Sequence, residues 1–271
     1  MKRLFCVALI AALSTPAFAQ DATPPGALTP EGSQIDWSFF WDGGAVPFLW
    51  APMLGRLALD RYVHPDDEPL GFSASEGGAP PSSWEVPGWS ITAAGLGAGF
   101  AFLASGDASR WYHAKGIGES LMTGALLTGV LKKTFSRHRP DWSPELDSES
   151  ERMSFSSGHA TQAFAVGTYA ILFLRRHVFD KSRGDRLLPW YEALTYGGIA
   201  LASTTLAAER VYHNRHHVSD VLVGSALGVT SSALFFWYQE SRFHAKKEQT
   251  TISVVPSITS TGATVGVGWQ F

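Results

Sequence analysis

Five apolar runs separated by polar segments constrain this chain more than any other feature. They cover residues 89–105, 117–131, 160–174, 193–208 and 221–238, each 15 to 18 residues long. Ala, Gly, Leu and Thr recur in them, and the period-2 alternation of a half-buried strand is weak. Each run therefore reads as a helix of about four to five turns that packs closely through small residues. The expected fold class is all-α: a bundle of five to six core helices, membrane-embedded or membrane-associated. Runs of this length sit at or below the length of a bilayer span, so span and buried core both remain open.

The charge between the runs bears on that choice. Arg175, Arg176, Lys181, Arg183 and Arg186 follow the third run, and Arg242, Lys246 and Lys247 follow the fifth. If the helices cross a membrane, these two segments share a side, and the excess of Lys and Arg makes it cytoplasmic. The polar segments 132–159 and 209–220 then face outward. That topology closes if the five runs span and the apolar stretch 45–59 does not. Pro47 and Pro52 argue against one straight helix through that stretch.

The chain begins like an export signal. Lys2 and Arg3 precede an apolar stretch at 4–13, and Ala17-Phe18-Ala19 has the small-residue pattern of a cleavage site. Residues 1–19 are expected to be a signal peptide, with 20–88 a Pro/Gly-rich N-terminal arm, 89–240 the helical core, and 241–271 a basic linker with a β-like tail. The single cysteine, Cys6, lies inside the expected signal, so the mature protein would carry neither a disulfide nor a zinc–thiolate site. The expected location is the bacterial cell envelope: the inner membrane with the site facing the periplasm, or alternatively a soluble periplasmic state. A formal net charge of −3 gives no reason to expect a nucleic-acid partner. The tail from Thr251 onward is β-branched, Gly-punctuated and uncharged, consistent with one or two strands.

Three polar clusters interrupt the apolar pattern. The first, "LKKTFSRHRPDW", places Lys132, Lys133, Arg137, His138 and Arg139 just after the second run. Taken alone it is a basic helix C-terminus, where cations are favoured. The second, "SFSSGHA", puts Ser156, Ser157, Gly158 and His159 at the mouth of the third helix. Either serine suits an N-cap, and the glycine permits close approach of a ligand. Unpaired N–H groups at a helix start also suit an oxyanion. The third, "ERVYHNRHHVSDVLVG", crowds Arg210, His213, Arg215, His216, His217 and Asp220 between two runs. Asp220 can reach the His216 imidazole across one helical turn. A metal cluster of His213, His216 or His217 with Asp220, or a plain Ser219 cap, are the competing readings of this third cluster. A metal leaves Lys132, Arg139 and Arg210 unexplained, because cations beside a cation are unfavourable. Cations, helix-terminal N–H groups and two histidines, one with a carboxylate, fit attack on a phosphoryl group.

The ordered pattern Lys132-x6-Arg139-Pro140, Ser157-Gly158-His159 and Arg210-x5-His216-x3-Asp220 resembles the three-part signature of the type 2 phosphatidic acid phosphatase and vanadium haloperoxidase superfamily. The resemblance implies that His216 is the nucleophile, that Asp220 orients and charges it, and that His159 is the general acid. It implies a phosphate clamp of Lys132, Arg139, Ser157, Gly158 and Arg210, with no metal and no cofactor. The implied function is hydrolysis of a phosphomonoester or diphosphate through a phosphohistidine. The apolar helices favour a phosphorylated lipid as substrate, with the membrane as partner. A vanadium-dependent haloperoxidase or a noncatalytic phosphate-binding envelope protein are the alternatives. Two positions depart from the family pattern: Ser156 stands where proline is usual, and Glu209 where serine is usual. The first is expected to cap the helix in proline's place, and the second to pair with Arg210 and weaken the clamp.

Overall fold

The computed structural model describes residues 49–63, 85–142, 152–179, 189–248, 251–259 and 262–270. The expected signal peptide and most of the N-terminal arm lie outside the described residues. Six α-helices are described: α1 (Ala51–Tyr62), α2 (Gly88–Ala104), α3 (Arg110–Phe135), α4 (Gly158–Phe173), α5 (Trp190–Tyr212) and α6 (Val218–Glu248). A π-type turn, Leu174–Phe179, extends α4. The all-α bundle expected from the sequence is the fold observed. The tail forms an antiparallel hairpin of β1 (Thr251–Thr259) and β2 (Gly262–Gln270), with Thr251 opposite Gln270.

All five apolar runs are helical, but the helices outgrow them. α3 has 26 residues, α5 has 23 and α6 has 31. The extra turns carry the polar clusters, so apolar length understated helix length. Residues 51–62 also form a helix where prolines argued against a straight one through 45–59. Pro52 lies at its first turn, where the missing N–H would have had no intrahelical partner.

α3, α4 and α6 form the centre. Phe102, Ile117, Leu121, Tyr169, Phe173, Phe235 and Phe236 pack there, with the Phe102 and Phe173 rings stacked at 4.1 Å. Helices α4 and α6 meet backbone to backbone through Gly224 and Gly228, one turn apart on α6. A Cβ on Gly224 would stand 2.5 Å from the Ser157 carbonyl oxygen, and one on Gly228 would overlap the Thr161 carbonyl oxygen. Small residues one turn apart permit this approach. Hydroxyl contacts finish the seam: Ser120 meets Ser232 at 2.7 Å, and Thr128 meets Thr161 at 3.1 Å.

The outer helices behave differently. In α5 only Glu192, Ser203, Ala207 and Arg210 are buried. Leu194 and Leu201 on α5 are each more than 60% exposed, as are Leu96 and Phe100 on α2 and, on the outward side of the central α6, Leu222 and Leu234. Among the described residues one helical segment, Val218–Ala245, is long and apolar enough to cross a membrane by length and composition.

Candidate active site

The three sequence clusters come together at one end of the bundle. α3 ends at Phe135, and Ser136 takes a left-handed conformation (φ 47°) that closes the helix onto the Lys132 carbonyl. The chain then doubles back. Arg137 Nη1 donates to Asp220 Oδ1 and to Ser219 Oγ, each at 2.7 Å. Lys132 Nζ donates to the Met153 carbonyl oxygen. Ser154 N–H closes on the Arg137 carbonyl at 2.9 Å, which fixes the segment before α4 against the end of α3.

Helix α4 is capped by Ser157, whose Oγ accepts from Ala160 N–H. Ser156, expected to replace a proline as cap, does not do so. Its hydroxyl is fully buried, and Oγ makes no hydrogen bond among the described residues. Ser157 N–H donates to the Asp220 backbone carbonyl at 3.0 Å, so the α4 start is pinned to the α6 start. At Gly158 an added Cβ would meet only Thr128, at an ordinary 3.7 Å. Packing within the protein does not demand glycine there. His159 Nε2–H donates to the Val86 carbonyl at 3.2 Å. The charges of Arg210 and Lys132 both lie close enough to act on His159.

The α5–α6 turn supplies the remaining groups. His213 ends α5 and Asn214 is left-handed (φ 55°). The N–H groups of Arg215 and His216 both return to the Arg210 carbonyl, at 3.0 and 3.2 Å. This tight return sets His216 just before α6. Asp220, in the first turn of α6, accepts the His217 N–H at 3.0 Å, which is the backward half of a capping box. Ser219 is therefore not the cap.

Asp220 is fully buried and is the hub of the site. Besides Arg137 and His217 it accepts Ser154 Oγ at 2.5 Å, and it faces His216 Nδ1 at 3.7 Å. The imidazole is thus oriented through Nδ1, which leaves Nε2 for chemistry. Burial, above all, lowers the His216 pKa to about 3, and the charges of Lys132 and Arg139 act in the same direction. The hydrogen bond and charge of Asp220 only partly offset them. The ring is therefore neutral near pH 7.

The alternative metal cluster does not assemble. His213 Nε2 lies 3.5 Å from Glu209 Oε1, and His217 Nε2–H donates to the His138 carbonyl at 3.3 Å, so the rings turn to separate partners. Glu209 does face Arg210, at 3.5 Å, and its other oxygen accepts Val86 N–H. A second carboxylate came without warning from the sequence. Glu85 lies 3.3 Å from Arg210 and 2.6 Å from Arg215, and Arg215 also reaches Asp141 at 3.1 Å. Arg210 Nε remains buried without an acceptor among the described residues.

Three residues that hold the site were not singled out as site residues. Ser154 and Arg137 hold Asp220, and Glu85 holds Arg210. Ser154 and Arg137 sit two to three residues from signature positions, a usable signal. Glu85 had none, being distant in sequence and inside the Pro/Gly-rich arm.

These features define a helical bundle with a cation-walled, histidine-centred cluster at one end. Residues 114–244 match the family model described as the PAP2 superfamily. A lipid A 1-phosphatase of Porphyromonas gingivalis is 32% identical over 54% of this chain and 30% of its own. Phosphatidylglycerophosphatase B of Bacillus subtilis is 33% identical over 42% of this chain and 50% of its own. A dihydrosphingosine 1-phosphate phosphatase of Schizosaccharomyces pombe is 31% identical over 53% of this chain and 34% of its own. The matched regions thus span half or less of these curated relatives. A crystal structure of a transmembrane PAP2-type phosphatidylglycerolphosphate phosphatase from Bacillus subtilis aligns over 88% of this chain and 94% of that one. Its TM-score is 0.41 and its identity 22%.

Proposed function

We propose that this chain is a phosphatase that hydrolyses a phosphorylated lipid through a phosphohistidine. One observation carries the reading: a neutral, buried His216 is braced at Nδ1 by Asp220, in a cluster that also holds His159, Lys132 and Arg210. In the first step His216 Nε2 attacks phosphorus and the P–O ester bond breaks. His159 Nε2 gives its proton to the leaving oxygen. Asp220 stabilises the cationic imidazole that forms, as the carboxylate of a triad does. Lys132, Arg139, Arg210, the Ser157 hydroxyl and the Gly158 N–H hold the equatorial oxygens. In the second step His159 takes a proton from water, which attacks phosphorus. The P–N bond breaks, and its electron pair returns to Nε2.

The lipid choice rests on the outer face. α5 begins with exposed Trp190 and Tyr191 and ends with Tyr212, 80% exposed, with exposed Leu194 and Leu201 between. Its 23 residues span roughly 34 Å at 1.5 Å each, close to a hydrocarbon core with aromatic ends at both interfaces. The relatives named above act on lipid phosphates. We place the chain in the bacterial inner membrane with the site facing the periplasm, the arrangement favoured by the basic segments after α4 and along α6.

The test is phosphate release from phosphatidate, an isoprenyl diphosphate, lipid A and a soluble phosphomonoester, by the purified protein and by His216→Ala. Release from a lipid that disappears in His216→Ala supports the reading. Equal release by both proteins sinks the mechanism. Faster turnover of the soluble ester sinks the lipid assignment, and release of the chain from membranes by carbonate washing sinks the spanning arrangement.

A further inference from the structure

A second cluster of ligand-type side chains lies at the opposite end of the bundle. His113 stands in the first turn of α3 and Lys132 in its last, roughly 28 Å apart along the axis at 1.5 Å per residue. His113 comes from α3, His177 from the π-type turn after α4, and Glu240 from α6. One ligand atom from each, two imidazole nitrogens and a carboxylate oxygen, lies within 4.8 Å of the other two. His113 Nε2 is 3.2 Å and His177 Nε2 3.1 Å from the same atom, Glu240 Oε2. Ligand atoms about 2.0–2.1 Å from a tetrahedral zinc stand roughly 3.3 Å apart, so two edges of the triangle already have the spacing the ion requires.

The outer contacts fit as well. His113 Nδ1 meets the Tyr169 hydroxyl at 3.2 Å. His177 Nδ1 faces Asp107 Oδ1 at 3.4 Å and Ser109 Oγ at 3.3 Å, while Ser109 Oγ donates to the same Asp107 oxygen at 2.5 Å. Metal-bound histidines hold their second ring nitrogen on such partners, which fixes the tautomer. A neutral imidazole at 177 serves these atoms less well than an ion does, and an imidazolium donating to both carboxylates is the arrangement the ion would replace. If a neutral His177 donates from Nε2 to Glu240, its Nδ1 lone pair faces the Asp107 carboxylate, acceptor against acceptor. With both Nε2 lone pairs on an ion, both Nδ1–H groups donate outward, to Asp107 and to Tyr169. Glu240 Oε1 is meanwhile held by Arg176 at 3.1 Å and His244 at 3.2 Å. An open cavity of ≈ 340 Å³ lined by Asp107, Arg176, His177, Glu240, Phe243 and His244 adjoins the triangle. It gives an ion a way in and gives water room as a fourth ligand.

We propose that His113, His177 and Glu240 bind one divalent ion of the zinc class. The ion ties α3, the end of α4 and the end of α6 together at the end remote from the phosphate site. It takes no part in phosphoryl transfer. The residues were not legible as a group from the sequence, because a helix start, a turn and a helix end supply one ligand each.

The experiment uses the full chain in detergent, stripped with a chelator and then given zinc alone, magnesium alone or cobalt alone. Zinc is expected to bind at about one equivalent per chain and to raise the unfolding temperature, and magnesium to do neither. Cobalt is expected to show the visible bands of a tetrahedral site. His177→Gln and Glu240→Gln should lose the bound zinc, while His216→Ala keeps it. Stoichiometry below about 0.2 in the unmutated chain overturns the proposal without recourse to any variant. So does zinc retained in both site variants, or zinc lost in His216→Ala.

Discussion

Replacing Glu85 with Gln should tighten phosphate binding. An incoming phosphate competes with Glu85 and Glu209 for the Arg210 guanidinium, and Glu85 is the nearer carboxylate at 3.3 Å. At an effective dielectric near 20 that separation is worth roughly 5 kcal/mol of gross attraction. The Arg210 side chain is 5% exposed and that of Glu85 27%, so desolvation of one partner and screening of the other cancel most of it. A net of about 1 kcal/mol remains, equivalent to about fivefold in a dissociation constant. Arg215 stays on Asp141 when Glu85 is neutralised, so it is not released into the site. Burial works against ionisation of Glu85. The hydrogen bond and charge of Arg215, with Arg210, outweigh it and hold the carboxyl below its ordinary range. The pairing is therefore fully present above the ordinary glutamate value of about 4.3, and it is lost only as pH falls through the lowered folded value. The assay is the inhibition constant for vanadate and for inorganic phosphate against lipid-phosphate hydrolysis. It should fall about fivefold in Glu85→Gln, by the same factor from about pH 5 to 8, and not at all when Arg210→Gln is already present. A constant that is unchanged or raised in the single variant refutes the competition and makes Glu85 a support for the clamp.

Ser154→Ala removes a hydrogen bond to a buried carboxylate, worth about 1.5–3 kcal/mol, while Asp220 keeps Arg137 and the His217 N–H. The unfolding temperature should drop by about 3–12 °C and turnover should fall with it; an unchanged unfolding temperature contradicts the hub role of Asp220. Because burial holds His216 down to about 3, nitrogen NMR should show its ring neutral at pH 5, and an inflection near 6.5 would contradict the burial argument. The sign for stability follows. The unfolded chain takes up a proton below about pH 6.5 that native His216 refuses, so this group's contribution declines as pH falls from there toward 3. Gly228→Ala drives a methyl into the Thr161 carbonyl and to 2.9 Å from Ala165 N, and should cost about 1–3 kcal/mol. Gly197→Ala on the open face of α5 should cost nothing, and equal unfolding temperatures for the two variants would refute the close α4–α6 seam.

The all-α architecture was legible because burial and helix periodicity both act locally. The helix ends were less so. Apolar runs end where polar side chains begin, whereas helices end where the backbone can turn. Ser136 and Asn214 provide those turns in left-handed conformations, well beyond the apolar residues. Pro52 shows the reverse error, since a proline that breaks a helix interior is harmless in the first turn of α1. The seam between α4 and α6 was partly visible in the small residues, but spacing alone does not show that a Cβ on Gly224 or Gly228 would run into a facing backbone, whereas one on Gly99 would meet backbone only at 3.9 Å.

The site divides along the same physical line. Side chains four residues apart at a helix start, such as His216 and Asp220, declare their contact through spacing alone. Contacts across elements do not, and these decide how the site is charged. The departure at Glu209 gains a physical reason here. Its carboxylate does more than face Arg210, because it also accepts the Val86 N–H while His159 donates to the Val86 carbonyl. Glu209 therefore anchors the segment before α2 across the mouth of α4, and that segment carries Glu85 to Arg210 and Arg215. A serine at 209 has one short hydroxyl and no negative charge, so it reproduces neither the reach nor the pairing. The exchange at 209 and the carboxylate at 85 are thus one arrangement, a fixed wall that sets two carboxylates on Arg210 beside the proposed general acid.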